Sequence, residues 1–274
     1  MTTRRISSFD SVGRWSTVSL AVEPWSPPEV GLLDLLNPEP RGLSSYEVFM
    51  IPWKLIDRAQ VPGYGGEMCL YQRGGEFTIR LAAGELMNSR AHGSEDALAE
   101  LACARIADRP CPRVLIGGLG MGYTTAAALR RLRSDAQVLV AELVPAVVKW
   151  NRGPLGEFAG HPLQDARVTV CEADVAQVLQ AEQRAYDAIL LDVDNGPEGF
   201  SRKGNDWLYA RAGLAAAFAA LRPAGVLAVW SAGPDRAFTK RLHQAGFSVN
   251  EVQVRARASN KGGRHTIWLA VRGS

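Results

Sequence analysis

From about Tyr46 the chain runs in short alternating stretches of apolar and polar residues, "WKLIDRAQV", "EMCLYQ" and "EFTIRLA". The "RGG" of Arg73 to Gly75 between the last two is a hairpin turn signal, so the region predicts a small antiparallel sheet. Next, "SEDALAELACARIA" (Ser94 to Ala107) opens with a serine and carries acids in its first turn. Leu98, Leu101 and Ile106 fall along one side, which predicts a helix. Beyond Arg113 the texture changes to apolar runs of four to six residues alternating with helical segments. The predicted strands are "RVLIGG", "AQVLVAEL", "RVTVCEA", "YDAILLDV" and "GVLAVWS". The predicted helices between and after them are "TTAAALRRL", "PAVVKWNRG", "VAQVLQAE", "LYARAGLAAAFAALR" and "DRAFTKRLHQAG". Such runs between helices indicate a parallel sheet covered on both faces. The last two predicted strands, "SVNEVQVRAR" and "HTIWLAV", are joined only by "ASNKGGR" and must be antiparallel, because a parallel connection needs a long crossover.

Five parallel strands closed by an antiparallel hairpin give an α/β fold of the class I methyltransferase-like Rossmann type, with a mostly parallel seven-stranded sheet preceded by a small antiparallel β segment. Residues 91–274 are expected to form this S-adenosyl-binding unit and residues 46–90 the small β-hairpin domain. Residues 1–45, rich in Ser, Pro and Gly, show no sustained periodicity beyond the short "VGLLDLLN" turn of helix and are expected to be a flexible extension.

Composition narrows the class. The 274 residues are 47% hydrophobic, enough for one sizeable core. No apolar run is long enough to span a bilayer and the first residues lack a secretory leader, so a cytoplasmic protein without membrane contact is expected. Cys69, Cys103, Cys111 and Cys171, and the four histidines, are scattered without metal-ligand spacing, and no metal site is expected. A net charge of +3 is too small to argue for nucleic acid, although nine Lys or Arg face two acids between Arg222 and Ser274.

In sheets of this kind ligands lie beyond the carboxyl ends of the strands, where the strand order reverses. Four features fall there. Gly118, Gly120 and Gly122 form a GxGxG at the end of the first strand, preceded by Gly117, where a backbone without Cβ lets a ligand approach a helix N-terminus. Glu142, followed by Leu143, ends the second strand at the distance where an acid can accept both hydroxyls of a ribose. Asp174, followed by Val175, ends the third, and serves as a helix N-cap, as a partner for the exocyclic amine of adenine, or as both. Asp192, with Asp194 and Asn195 in the turn beyond it, ends the fourth and is the candidate proton acceptor from an attacking amine. The third glycine comes one residue too early for the GxGxxG of pyrophosphate binding, so the expected ligand is an adenosine without phosphates: S-adenosylmethionine or its decarboxylated form. Lys261, Arg264 and His265 in the closing hairpin form either an ordinary exposed turn, the favoured reading, or a contact with an anionic part of a substrate.

From about Glu76 to the C-terminus the sequence resembles the spermidine synthases, the polyamine aminopropyltransferases. The residues that carry this are "VLIGGLGMG", "VAELVPAVVKWNRG", "DARVTVCEADV", "YDAILLDVD" and "LYARAGLAAAFAALRPAGVLAV". The resemblance implies aminopropyl transfer to a small amine, with the ribose acid at Glu142, the adenine acid at Asp174 and the general base at Asp192. Three departures stand out. Gly120 fills the place of the acid in the family's GGGDGG loop. The acids after the fourth strand are two residues apart rather than three. Ser94 and Glu95 stand in the vicinity of the Tyr-His pair that helps hold the diamine, which makes Glu95 a candidate substrate contact together with Asp194 and Asn195. A carboxylate in the first loop would hold the bare ammonium of decarboxylated S-adenosylmethionine and repel the α-carboxylate of the ordinary form. Its absence keeps methyl transfer to a small molecule open beside aminopropyl transfer, with a non-catalytic nucleoside-binding protein as a third reading. A homodimer is expected.

Overall fold

The computed structural model describes residues 3–9, 15–21, 51–63, 66–193, 206–256 and 263–273. Near the N-terminus β1 (Thr3–Phe9) and β2 (Trp15–Ala21) pair antiparallel, with Phe9 opposite Trp15. The sequence reading placed no element there: each strand is seven residues long and largely Ser, Thr and Arg, too polar for periodicity to register. The expected "VGLLDLLN" turn lies outside the described residues.

A four-stranded antiparallel sheet follows, in the order β3 (Lys54–Gln60), β4 (Glu67–Arg73), β5 (Glu76–Leu81), β6 (Gly84–Asn88). Gly74, at φ +56°, makes the turn between β4 and β5. The last strand, "GELMN", has little intrinsic strand preference and was not foreseen. Pairing with β5 recruits it, and the Thr78 hydroxyl, facing both the Met87 carbonyl at 3.1 Å and the Glu85 carboxylate at 3.0 Å, pins it.

The main unit begins with α1 (Gly93–Ala104). Its N-cap is His92, so Ser94 lies inside the first turn, buried, rather than capping the helix as the sequence suggested. Then come β7 (Arg113–Gly117), α2 (Tyr123–Arg131), β8 (Gln137–Ala141), α3 (Pro145–Arg152), β9 (Val168–Cys171), α4 (Val175–Ala181) and β10 (Tyr186–Leu191). The segment read as one helix is two, α5 (Asp206–Tyr209) and α6 (Arg211–Ala220), broken where Ala210 turns extended. The break is tight: a Cβ on Gly213 would collide with the Trp207 carbonyl. The chain closes with β11 (Leu221–Ser231), α7 (Arg236–Gln244), β12 (Phe247–Arg255) and β13 (Arg264–Arg272).

The sheet order is β12-β13-β11-β10-β7-β8-β9, with β11, β10, β7, β8 and β9 parallel and β13 antiparallel to both its neighbours. This is the class I methyltransferase-like arrangement expected. Alternate strand residues feed two cores. Val114, Ile116, Ala188 and Leu190 pack with Leu98 of α1, Ala127 of α2 and Val148 of α3. Leu115, Ile189 and Leu191 point the other way, to Val178 of α4, Leu214 of α6 and Phe238 of α7. Burial on both faces explains why these strands read as continuous apolar runs. After β7 the chain builds outward through β8 and β9, then returns to place β10 on the other side of β7. The order therefore reverses between β7 and β10, where a crevice opens.

Candidate functional site

That crevice is a cavity of about 540 Å³, walled by the carboxyl ends of the parallel strands, the first turn of α1 and the four-stranded sheet. The glycine loop after β7 forms one edge. Gly118 takes φ +90°, and a Cβ there would collide with the Asp192 carbonyl; the Asp192 amide donates to the Gly117 carbonyl at 2.9 Å. Gly120 takes φ +52°, and a Cβ there would come within 2.6 Å of the Met87 methyl. So the position where the resemblance leads one to expect an acid is closed by a thioether from β6. The Asn151 amide fixes the loop from below, donating to the Gly120 carbonyl at 2.8 Å. Gly118 and Gly120 line the cavity. Gly117 and Gly122 do not: Gly117 packs against Val175 and Gly122 precedes α2 beside Asn151.

Glu142 is buried at the end of β8, 8% exposed. Each oxygen accepts one backbone N–H, Oε2 from Leu119 and Oε1 from Val144, both at 2.8 Å. Two backbone N–H groups thus fix the carboxylate where it lines the cavity. Leu143 beside it also lines the cavity. Asp174 caps α4, with Oδ1 accepting the Ala176 N–H at 2.8 Å, while it and Val175 face the cavity. Cap and wall are thus one residue.

Asp192 leaves the end of β10 into the cavity floor. The Thr124 hydroxyl donates to its Oδ2 at 2.5 Å. Burial pushes its carboxyl well above the usual range, and the Thr124 hydrogen bond opposes this only in part. Glu95, from the first turn of α1, also lines the cavity. Burial first, and then the charge of Asp192, push its carboxyl up as well. The Ser94 hydroxyl donates to Glu95 Oε2 at 2.6 Å, and His265 Nδ1 lies 2.9 Å from the Ser94 oxygen. Burial lowers the imidazole below its ordinary value, and the Trp230 indole meets its ring edge to face at 4.7 Å.

Sequence reasoning named Glu95 but missed its links to Ser94 and His265 and the support that Thr124 gives Asp192. Residues 94, 192 and 265 share no local pattern, so only the fold joins them. The basic closing loop is corrected in part. His265 faces the Ser94 hydroxyl, with burial lowering its imidazole, Arg264 is exposed and off the cavity wall, and Lys261 lies outside the described residues. Asp194 and Asn195 also lie outside them.

The charge of the wall is one-sided. Glu67, Glu85, Glu95, Glu142, Asp174 and Asp192 line the cavity, and among the described residues no lysine or arginine does. A wall of this charge favours cationic groups. Among the described residues no three His, Cys, Asp or Glu side chains are grouped to hold a metal ion.

The family described as the spermine/spermidine synthase domain matches residues 104–242. No curated protein matches the sequence. Among solved structures, a spermidine synthase from Thermotoga maritima superimposes with a TM-score of 0.63 at 16% identity, over 81% of this chain and 75% of that one. A spermidine synthase in complex with the transition-state analogue AdoDATO gives a TM-score of 0.62 at 16% identity, over 81% and 74%. At that identity the likeness carries the fold.

Proposed function

The chain belongs to the spermine/spermidine synthase family, and on that premise we propose that it is an aminopropyltransferase that takes decarboxylated S-adenosylmethionine as cosubstrate and a small aliphatic amine as acceptor. The observation that carries this is the wall of six carboxylates with no lysine or arginine among the described residues. Ordinary S-adenosylmethionine brings an α-carboxylate, which would enter among like charges. Two such charges about 5 Å apart repel by roughly 3 kcal/mol at an effective dielectric of 20, on the order of a hundredfold in affinity. The decarboxylated form and an alkyl amine bring only cations. Losing the first-loop acid at Gly120 is therefore offset by acids on other elements.

The residues fit such a ligand. Glu142 would accept the ribose hydroxyls, Asp174 would stand by the adenine amine, and Val144, Val147 and Val175 would exclude water from the base. Gly118 and Gly120 leave room for the backbone to touch the tail. Bound there, the cosubstrate supplies a carbon activated by a positive sulfur that departs as a neutral thioether. The protein has two tasks: to align the amine with that carbon, and to take a proton from it. Asp192, half-buried in the cavity floor and with raised proton affinity, is suited to the second.

Methyl transfer is the second reading, favoured by Gly120 alone. Calorimetry with both forms of the cosubstrate separates the two. Decarboxylated S-adenosylmethionine should bind at least tenfold more tightly, and methylthioadenosine should be the nucleoside product with an amine present. Preference for the ordinary form with release of S-adenosylhomocysteine would overturn the aminopropyl assignment, and no product from either form would leave a binding protein.

A further inference from the structure

Buried carboxylates elsewhere in the molecule are matched by cations or by backbone amides, as at Asp187 and Glu142. Glu95 and Asp192 make no ion pair among the described residues: the Ser94 hydroxyl and its own backbone N–H serve Glu95, and the Thr124 hydroxyl serves Asp192. Both line one cavity, and the charge of Asp192 reaches Glu95. Ser94 gives its hydroxyl proton to Glu95, so the ring nitrogen of His265 that faces Ser94 must be the protonated one and donate in turn. His265 is held edge-on by Trp230. A chain of two hydrogen bonds thus reaches from β13 to fix a carboxylate on α1.

We propose, resting on the aminopropyl reading, that Glu95 and Asp192 form one proton-holding pair that receives the reacting nitrogen of the acceptor, with Ser94 and His265 as the positioning residues that aim Glu95. Two neighbouring, half-buried carboxylates hold one proton between them near neutrality, because both cannot ionise freely. The acceptor enters as an ammonium and displaces that proton to solvent. The ammonium then passes one N–H proton to the pair, which returns to its one-proton state. The freed lone pair forms the new C–N bond as the C–S bond breaks, its electrons remaining on sulfur as a neutral thioether. Nitrogen ends as a secondary ammonium, and one proton is released per turnover. The other titratable groups near Glu95 do not compete. Asp96 is tied to Arg130 at 2.9 Å and to His92 at 2.7 Å, burial raises the Tyr123 phenol, and burial lowers the His265 imidazole.

The test is calorimetric titration of the full chain with linear diamines, 1,3-diaminopropane to 1,5-diaminopentane. Methylthioadenosine is present, and two buffers of different ionisation heat are used near neutral pH. The wild type should release close to one proton per diamine bound. Glu95→Gln should bind the diamine at least about thirtyfold more weakly and release little or no proton, as expected for one lost charged partner. Its affinity for methylthioadenosine should stay within about threefold. His265→Ala should weaken the diamine by about tenfold, whereas His265→Asn, whose side-chain N–H can replace the ring donor, should restore it to within about twofold. Wild-type diamine binding and proton count in Glu95→Gln would overturn the proposal, as would an equal loss of methylthioadenosine affinity or failure of the wild type to bind any diamine. Absence of transfer to any amine, with proton release still dependent on Glu95, would remove the aminopropyl reading and leave the pair standing.

Discussion

Strand β10 carries an aspartate near each end, Asp187 buried and Asp192 half-buried, and the two are treated in opposite ways. Asp187, at the amino end, accepts from Arg109 at 2.6 Å, Arg222 at 2.7 Å and the Arg113 amide at 2.8 Å. Asp192 follows the carboxyl end, about 17 Å further along an extended strand, where a threonine hydroxyl is its hydrogen-bond partner and no described lysine or arginine lines the cavity. The first is a clasp that ties β10 to the segments before β7 and in β11. The second is a charge left uncompensated, which burial alone makes reluctant to ionise. Burial of an acid therefore says little about its role; the partners provided for it say much.

The contrast breaks most visibly on substitution. Asp192→Asn should lower kcat/KM for transfer by about a thousandfold, the scale of a lost general base. Cosubstrate affinity should hold within about threefold and Tm should be unchanged or higher, since a neutral amide replaces an acid disfavoured by burial. An unchanged rate would dismiss Asp192 as the proton acceptor. Asp187→Asn should do the reverse. It leaves two arginines without their carboxylate, and because both are partly exposed the loss should be about 2 kcal/mol, roughly 4 to 8 °C in Tm. Turnover per folded molecule should not change. Loss of activity without loss of stability would show that Asp187 acts on the site.

A pH series sharpens the comparison. The carboxyls of Asp192 and Glu95 bind protons more tightly folded than unfolded, so their stabilising contribution is full below the ordinary values of 3.8 and 4.5 and is lost as pH rises through the raised folded values. Unfolding free energy of the wild type should therefore fall over that window, measured by denaturant titration. The double variant Glu95→Gln, Asp192→Asn should flatten the slope, while Asp187→Asn should keep it at lower absolute stability. A slope unaltered by the double variant would mean that other groups carry it.

The sequence shows one of these two aspartates clearly and the other hardly at all. Asp192 stands where a buried run gives way to a turn, and Gly118, Glu142 and Asp174 are likewise marked by strand ends. Each could be placed because the signal is local. Asp187 sits inside "YDAILL", a lone charge in a fully buried run, which was a usable signal. Its arginines, at 109 and 222, lie far off in sequence, and nothing local identifies them. The links that join Glu95, Ser94 and His265 are equally non-local, as is Met87 over Gly120, which depends on a strand too short and polar to be foreseen. Strand β10 itself was legible because both its faces are buried; the α5–α6 break was not, because it depends on how closely Gly213 approaches the Trp207 carbonyl.

The smallest expected effect tests how the uncompensated end is tuned. Thr124 opens α2, directly after the glycine loop, and its hydroxyl is the group that favours the charged form of Asp192 against the cost of burial. Thr124→Val keeps the shape of the side chain and removes that donor. With nothing offered in exchange, Asp192 should hold its proton more tightly, so the acidic limb of the kcat/KM profile should move to higher pH. A hydrogen bond to a charged group is worth about 1.5 to 3 kcal/mol when fully lost. Solvent reaching the floor of an open cavity recovers part of this, leaving a drop of about fivefold in rate at neutral pH. Above the limb the rate should return toward wild type, because the base is weakened in availability and not removed. A uniform loss at every pH would instead make Thr124 an organiser of the loop, and would place the tuning of Asp192 in burial alone.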